Sequence, residues 1–456
     1  MRLIRVLLAM TGLAVIIAVG MVVGAHYRAI RTTAPAGSPW EKVEPTGSTP
    51  ADARIRSAQL KIDRAPNAAA GYNQLSSAFM QKARESGDFG FNARAEAALD
   101  QAQKADPADY DSIKLRAKLL LTYHRFSDAL VQAQRAQQLR PQDHDVYGAL
   151  TDAYVELGQY DEAIKTAQTM VNLRPDTASY SRVSYLRTLH GDTEGAMEAM
   201  NLAARMADPN DGENGAWCRV QLGNELLSTG KIAAAEQQYD QALQLFPEYH
   251  FALAGKGQSR ATMGDLMSAI EFYRRAQTRV PLPETAIALG DLYTKTGNPE
   301  EARRQFALVE FIEGSGASGG TYSRVLAVYY ADHDLKLDQA LKLAQAERAV
   351  RNDIYSNDAL AWALFKSGQF DAAEKEMKLA MRLKTKDARL FFHAGVIADA
   401  RGQRQRSAGY LKQALAINPA FDLRHADEAR QLLAKEGVQP DRLPVNAANR
   451  LKSSFR

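Results

Sequence analysis

The sequence predicts an all-α chain, an α-solenoid of stacked helical hairpins behind one apolar N-terminal helix. Prolines at 107, 141, 175 and 209, and again at 247 and 281, fall 34 residues apart. Glycines at 158, 191, 230, 264 and 297, and then at 368 and 402, recur with spacings of 33, 39, 34, 33 and 34. Val6 to Ala25 run for twenty residues without a charge. Two helix-breaking residue types that mark one period at different phases imply a repeated unit of fixed length.

Residues 1–5 carry Arg2 and Arg5 ahead of the apolar run. Twenty residues of helix reach about 30 Å, the thickness of a bilayer core. Residues 6–25 therefore read as a single-pass anchor or uncleaved signal. Val23-Gly24-Ala25 would also suit a cleavage site, which keeps a removable signal as the alternative. Arg2, Arg5 and the terminal amine slightly outweigh Arg28 and Arg31. That asymmetry places the N-terminus in the cytoplasm and the repeats outside it, on the periplasmic side of a cell (inner) membrane. Residues 26–56 follow as a tether, with prolines at 35, 39, 45 and 50 among Gly, Ser and Thr. Such composition buries no core.

Residues 57–421 hold the repeats. Between the breakers the segments are rich in Ala, Leu, Gln, Glu, Lys and Arg, with apolar residues at three- and four-residue steps, the helical pattern. In 153–175, AYVELGQYDEAIKTAQTMVNLRP, Ala163, Ala167 and Met170 share one face. Tyr154 and Leu157 belong to the preceding helix. Each unit thus reads as helix, glycine turn, helix and proline-marked turn, and buries its apolar faces only by stacking on its neighbours. Residues 422–436 read as a capping helix and 437–456 as a short basic tail.

Set on a 34-residue frame, the units resemble the tetratricopeptide repeat. The stretch from His144 supplies Tyr147, Leu150, Thr151, Tyr154, Ala163, Ala167, Met170 and Pro175. Those from Ala216, His250 and Pro283 supply Gly223, Ala235, Tyr239 and Ala242; Gly257, Ala269, Tyr273 and Ala276; and Gly290, Tyr293, Ala302 and Phe306. The last, from Ala388, supplies Gly395, Leu411, Ala414 and Pro419. About ten units fit between residues 69 and 421. The resemblance implies a right-handed superhelix whose first helices line a concave groove for extended or helical peptides. Groove positions in this sequence include Lys114, Lys118, Asp152, Tyr185, Asn224, Asp291, Tyr322, Tyr329, Trp362 and Phe365. A carboxylate clamp found in part of the family is incomplete here: Lys114 and Arg182 fit it, whereas Lys118, Ala149 and Ala178 do not.

Composition narrows the function. The formal net charge of +4, from 57 basic and 53 acidic side chains, lacks the basic excess of a nucleic-acid binder. One cysteine, Cys218, excludes an internal disulfide and a Cys-based zinc cluster. The GxGxxG within 313–319 follows a helix rather than a strand and reads as an inter-repeat loop. His333 beside Asp332 and Asp334 reads as a solvated turn. No metalloprotease, P-loop, kinase or serine-hydrolase signature is present. The expectation is a non-enzyme without metal or cofactor that binds a protein or peptide partner and contacts the membrane through residues 6–25. The alternative is a component of envelope polymer assembly or export, with Tyr322, Tyr329 and Trp362 as stacking platforms for a polysaccharide or lipid-linked chain.

Overall fold

The computed structural model describes residues 49–314 and 323–435. The apolar run 6–25, nearly all of the tether, the Gly-rich stretch with Tyr322, and the tail 437–456 lie outside the described residues. Within the described residues there are twenty-two α-helices, no strand, and no helix long and apolar enough to cross a membrane. The chain divides at Leu119/Leu120 into two units, treated separately below.

Unit 1 contains α1 (Pro50–Arg64), the hairpin α2 (Ala69–Ser86) and α3 (Gly90–Ala105), and most of α4 (Tyr110–Thr122). Helix α1 begins inside the stretch whose composition reads as a tether. Local chemistry explains it: Pro50 occupies the first helical turn, where no amide donor is needed. Thr49 and Asp52 form a reciprocal capping box that satisfies two orphan backbone groups. Lys82 of α2 holds the buried Asp52 at 2.8 Å.

Unit 2 contains the end of α4, then α5 (Phe126–Leu139) and eight consecutive hairpins. They are α6/α7 (His144–Glu156, Tyr160–Leu173), α8/α9 (Thr177–Leu189, Thr193–Arg205), α10/α11 (Gly212–Ser228, Ile232–Leu245) and α12/α13 (His250–Thr262, Leu266–Arg279). They continue with α14/α15 (Pro283–Lys295, Pro299–Gly314), α16/α17 (Ser323–Asp332, Leu337–Val350), α18/α19 (Ile354–Lys366, Phe370–Ala380) and α20/α21 (Ala388–Ala400, Arg404–Ile417). Helix α22 (His425–Lys435) buries Ala429 and Leu433 at the end.

The period is set by two contacts. First, each hairpin turn needs one residue in the left-handed region. Gly158, Gly191, Gly230, Gly264, Gly297, Gly368 and Gly402 supply it at φ between +72° and +81°, where a glycine pays no Cβ penalty. Asp334 takes the same conformation at φ 52° in the repeat that lacks a turn glycine, and His124 does so at φ 56° ahead of α5. Second, a glycine in the first helix of a hairpin receives a large side chain from the second. A Cβ on Gly223 would lie 2.5 Å from the Tyr239 ring, one on Gly257 2.7 Å from Tyr273, and one on Gly290 2.3 Å from Phe306. Tyr239 also fills the space over Gly255 of the next hairpin, so one ring sets both the closure of a hairpin and the stacking of its neighbour. Gly223→Ala forces that ring outward and should cost about 1–3 kcal/mol, as overpacking does. A chemical-denaturation midpoint equal to wild type would contradict this packing.

Unit 2 also closes on itself. The turns after α6, α8 and α10 meet the loops before α18, α20 and α22. The Ile354 amide donates to the Tyr160 hydroxyl at 3.0 Å across 194 residues. The Thr385 hydroxyl donates to the Leu189 carbonyl across 196. The Asn418 side-chain amide donates to the Leu227 carbonyl at 3.0 Å across 191. The turn glycines make the approach possible: a Cβ on Gly158 would lie 2.3 Å from the Asn352 carbonyl oxygen, and one on Gly191 2.7 Å from that of Lys384. Behind these rungs one apolar core joins Val155, Tyr160, Ala163, Leu186 and Leu189 to Ala327, Ile354, Leu360, Leu364 and Leu390.

Candidate functional site: the inner face and closing junction of unit 2

The first helices of the hairpins carry the side chains of the inner face. Asp152 on α6 accepts two bonds from Arg182 on α8, at 2.8 and 2.6 Å. Arg182 also donates to the Gly148 and Ala178 carbonyls at 3.1 and 2.9 Å, which fixes the fork. Next to this pair a small open cleft of about 80 Å³ is lined by Thr151, Asp152, Val155, Glu156, Arg182, Tyr185 and Leu186. Tyr185 keeps 40% of its surface exposed and lines this cleft, a recess in the inner face. Arg324 of α16 and Tyr160 of α7 stand within electrostatic reach of Tyr185.

The recess abuts the first closing rung, which is dense in charge. Arg351 is 6% exposed. Its guanidinium lies 3.2 Å from Glu156, 3.0 Å from Glu347 and 3.9 Å from Asp353, with the Phe126 ring 4.6 Å away. Arg324 lies 3.5 Å from Asp353. Two guanidiniums thus face three carboxylates. Burial pushes Glu156 up to about 7 against the pull of Arg351, and burial also raises Glu347. Burial, helped by Arg351 and Arg324, lowers His124 to about 4. Burial raises Tyr160 to about 12. An ionised carboxylate without a full share of counter-charge is the costly species in such a setting.

The groove residues read from the sequence do not share one environment. Asp152 and Tyr185 reach the inner face together, though Asp152 is committed to Arg182. Asn224 is exposed, and its side-chain oxygen accepts the Tyr239 hydroxyl at 2.8 Å. Asp291 accepts from His333 at 2.8 Å and pairs with Arg424 at 3.4 Å, so the turn around His333 is ordered by a partner rather than by solvent alone. Lys114 and Lys118 lie half-buried in unit 1; Lys114 is 3.8 Å from Asp111 and over the Tyr110 ring.

Tyr329 and Trp362 are core residues, each 2% exposed. The indole of Trp362 stacks on His393 at 4.2 Å and on Phe365 at 5.1 Å, and its N–H donates to Asp332 at 2.7 Å. Tyr329 packs between Phe306 and His333, at 5.8 and 4.7 Å. Groove-facing positions for these two rings do not hold, because their helices turn that side into the stack. Phe365 is half-buried against Trp362. Tyr322 lies outside the described residues. Sequence reasoning missed Glu156, Arg324 and Arg351, because Glu156 meets Arg351 from nearly two hundred residues away and Arg324 joins them only through Asp353.

Stacked helix–turn–helix units of this length, three of them closed by a glycine against an aromatic ring, define a helical-repeat protein. Two stretches of the array match tetratricopeptide repeat profiles, residues 120–186 one and residues 220–282 another. No curated protein sequence matches the chain. Among solved structures, the chain is similar to yeast Tom70 at 12% identity, covering 86% of this chain and 94% of that one, with a TM-score of 0.37. PilW, described as a widely conserved type IV pilus biogenesis factor, matches at 15% identity over 44% and 92%, with a TM-score of 0.35. A tetratricopeptide repeat protein from Parabacteroides merdae matches at 20% identity over 57% and 98%, with a TM-score of 0.32. At these values the likenesses carry no functional inference.

Proposed function

We propose that this chain is a protein-interaction scaffold that takes a protein or peptide partner along the inner face of unit 2. Residues 6–25 hold it at a membrane, with the repeats on the extracytoplasmic side. The observation that carries the reading is Tyr185, an accessible aromatic ring that lines an open cleft of the inner face. Aromatic residues in partly desolvated recesses are favoured anchors for protein partners. Binding rather than catalysis is the role put forward. The polymer-handling alternative uses Tyr322, Tyr329 and Trp362 as stacking platforms; Tyr329 and Trp362 lie in the core, and Tyr322 lies outside the described residues.

A photo-crosslinking amino acid at position 185 of the full chain, in cells, tests the reading. A discrete protein adduct should form at 185 and be absent with the same probe at Val131, which is 60% exposed and lies on α5, outside the recess lining. Equal labelling at both positions, or none at 185, contradicts it. In the same cells the full chain should stay with membranes through an alkaline wash, while a chain starting at residue 49 should not.

A further inference from the structure

We propose that the rung joining Glu156–Tyr160 to Arg351–Ile354 is a proton-controlled latch, which closes unit 2 when its charge cluster takes up one proton and loosens when the proton leaves.

The argument begins with geometry. The rung is made largely by neutral groups. The Asn352 amide donates to the Glu156 carbonyl at 2.8 Å, and the Ile354 amide to the Tyr160 hydroxyl at 3.0 Å. Arg382 donates to the Asn352 carbonyl at 2.6 Å and lies over the Tyr160 ring. The carboxylate of Glu156 contributes no comparable bond. It sits 3.2 Å from Arg351 Nε, but that nitrogen is buried without a hydrogen-bond partner. The contact is Coulombic only.

The charge count then sets the direction. Two guanidiniums, Arg351 and Arg324, face three carboxylates, so the closed cluster carries one surplus anion; of the three, Glu156 alone comes from the α6 side of the rung. The other groups facing it do not cancel that charge. Asp152 on its own helix is tied to Arg182. Tyr160 and Tyr185 are uncharged near neutrality because burial raises both. His124 is neutral above about 4. Arg382 is turned to the Tyr160 ring and a carbonyl. Opening the rung returns Glu156 to water, where its ordinary value is 4.5, against about 7 when closed. A group whose pKa is higher in the closed form binds its proton more tightly there. Closure is therefore strengthened as pH falls from above 7 towards 4.5, and weakened as pH rises through 7. Such a shift changes the opening equilibrium about tenfold between pH 6 and pH 8.5. Glu156 also lines the cleft at Tyr185, so its protonation changes the charge of that lining; only that consequence rests on the scaffold reading.

Hydrogen exchange on the full-length protein, without any partner, reads the latch through the amides of Asn352 and Ile354. After correction for the intrinsic exchange rate, protection of a peptide spanning 351–357 should fall about tenfold from pH 6 to pH 8.5, while one spanning Gly264 should not change. Glu156→Gln, which keeps the shape of the protonated acid, should remove the pH dependence and hold protection at the pH 6 level. Glu347→Gln removes the charge on the α17 side and should leave a smaller pH dependence than wild type. Unchanged wild-type protection across the range overturns the proposal, with or without a foldable variant. So does an undiminished fall in Glu156→Gln.

Discussion

Gly158→Ala destabilises unit 2 by about 3 kcal/mol, whereas Gly264→Ala costs about 1 kcal/mol. Both glycines end the first helix of a hairpin, at φ +72° and +81°. A left-handed alanine costs roughly 1–2 kcal/mol at either place. The environments then separate them. No atom lies within 4 Å of a Cβ placed on Gly264, while one on Gly158 meets the Asn352 carbonyl oxygen at 2.3 Å and Arg382 at 2.8 Å. Arg382 can swing away, but the carbonyl is backbone and already holds the Arg382 guanidinium. The methyl group must push the rung apart, and overpacking adds about 1–3 kcal/mol. Chemical denaturation of the two variants side by side checks it. Equal midpoints would mean that the turn at Gly158 touches nothing.

Trp362→Ala should cost about 3–5 kcal/mol, the range for truncating a large buried aromatic. The ring lies between Phe365 and His393 and bonds Asp332. Truncation leaves a cavity and takes the indole donor from Asp332, which then faces His425 at 3.6 Å. Tyr185→Ala, by contrast, should shift stability by no more than about 1 kcal/mol, because the side chain is 40% exposed. The pair separates a core ring from a recess ring. If Trp362→Ala unfolds at the wild-type midpoint, the indole is not part of the core.

What the sequence revealed and what it hid follows from the range of each interaction. The turn glycines and the Gly223–Tyr239, Gly257–Tyr273 and Gly290–Phe306 pairs act within one hairpin. Their 34-residue rhythm is therefore visible along the chain. Helix α1 was hidden because four prolines in its neighbourhood outweighed one capping box at Thr49–Asp52. Trp362 and Tyr329 were placed by repeat phase, but a single step of 100° around a helix carries a ring from groove to core. The rungs were illegible for a different reason. Asn352, Thr385 and Asn418 are ordinary loop residues whose partners are backbone groups about 190 residues earlier, and backbone groups leave no compositional trace. Of the candidate inner-face site, Asp152 and Tyr185 were readable from repeat phase. The ions Glu156, Arg324 and Arg351 were not.

Closure of the array is the claim on which the recess, the latch and the Gly158 effect all depend. It is tested most directly by a distance between spin labels on cysteines placed at Gln159 and Val350, both exposed, with the native Cys218 buried and unreactive; burial pushes its thiol up to about 12. The closed rung predicts a label separation below about 25 Å. An unclosed array would set the two positions roughly a dozen helices apart at about 8–10 Å each, and a distribution centred beyond about 40 Å would contradict the account.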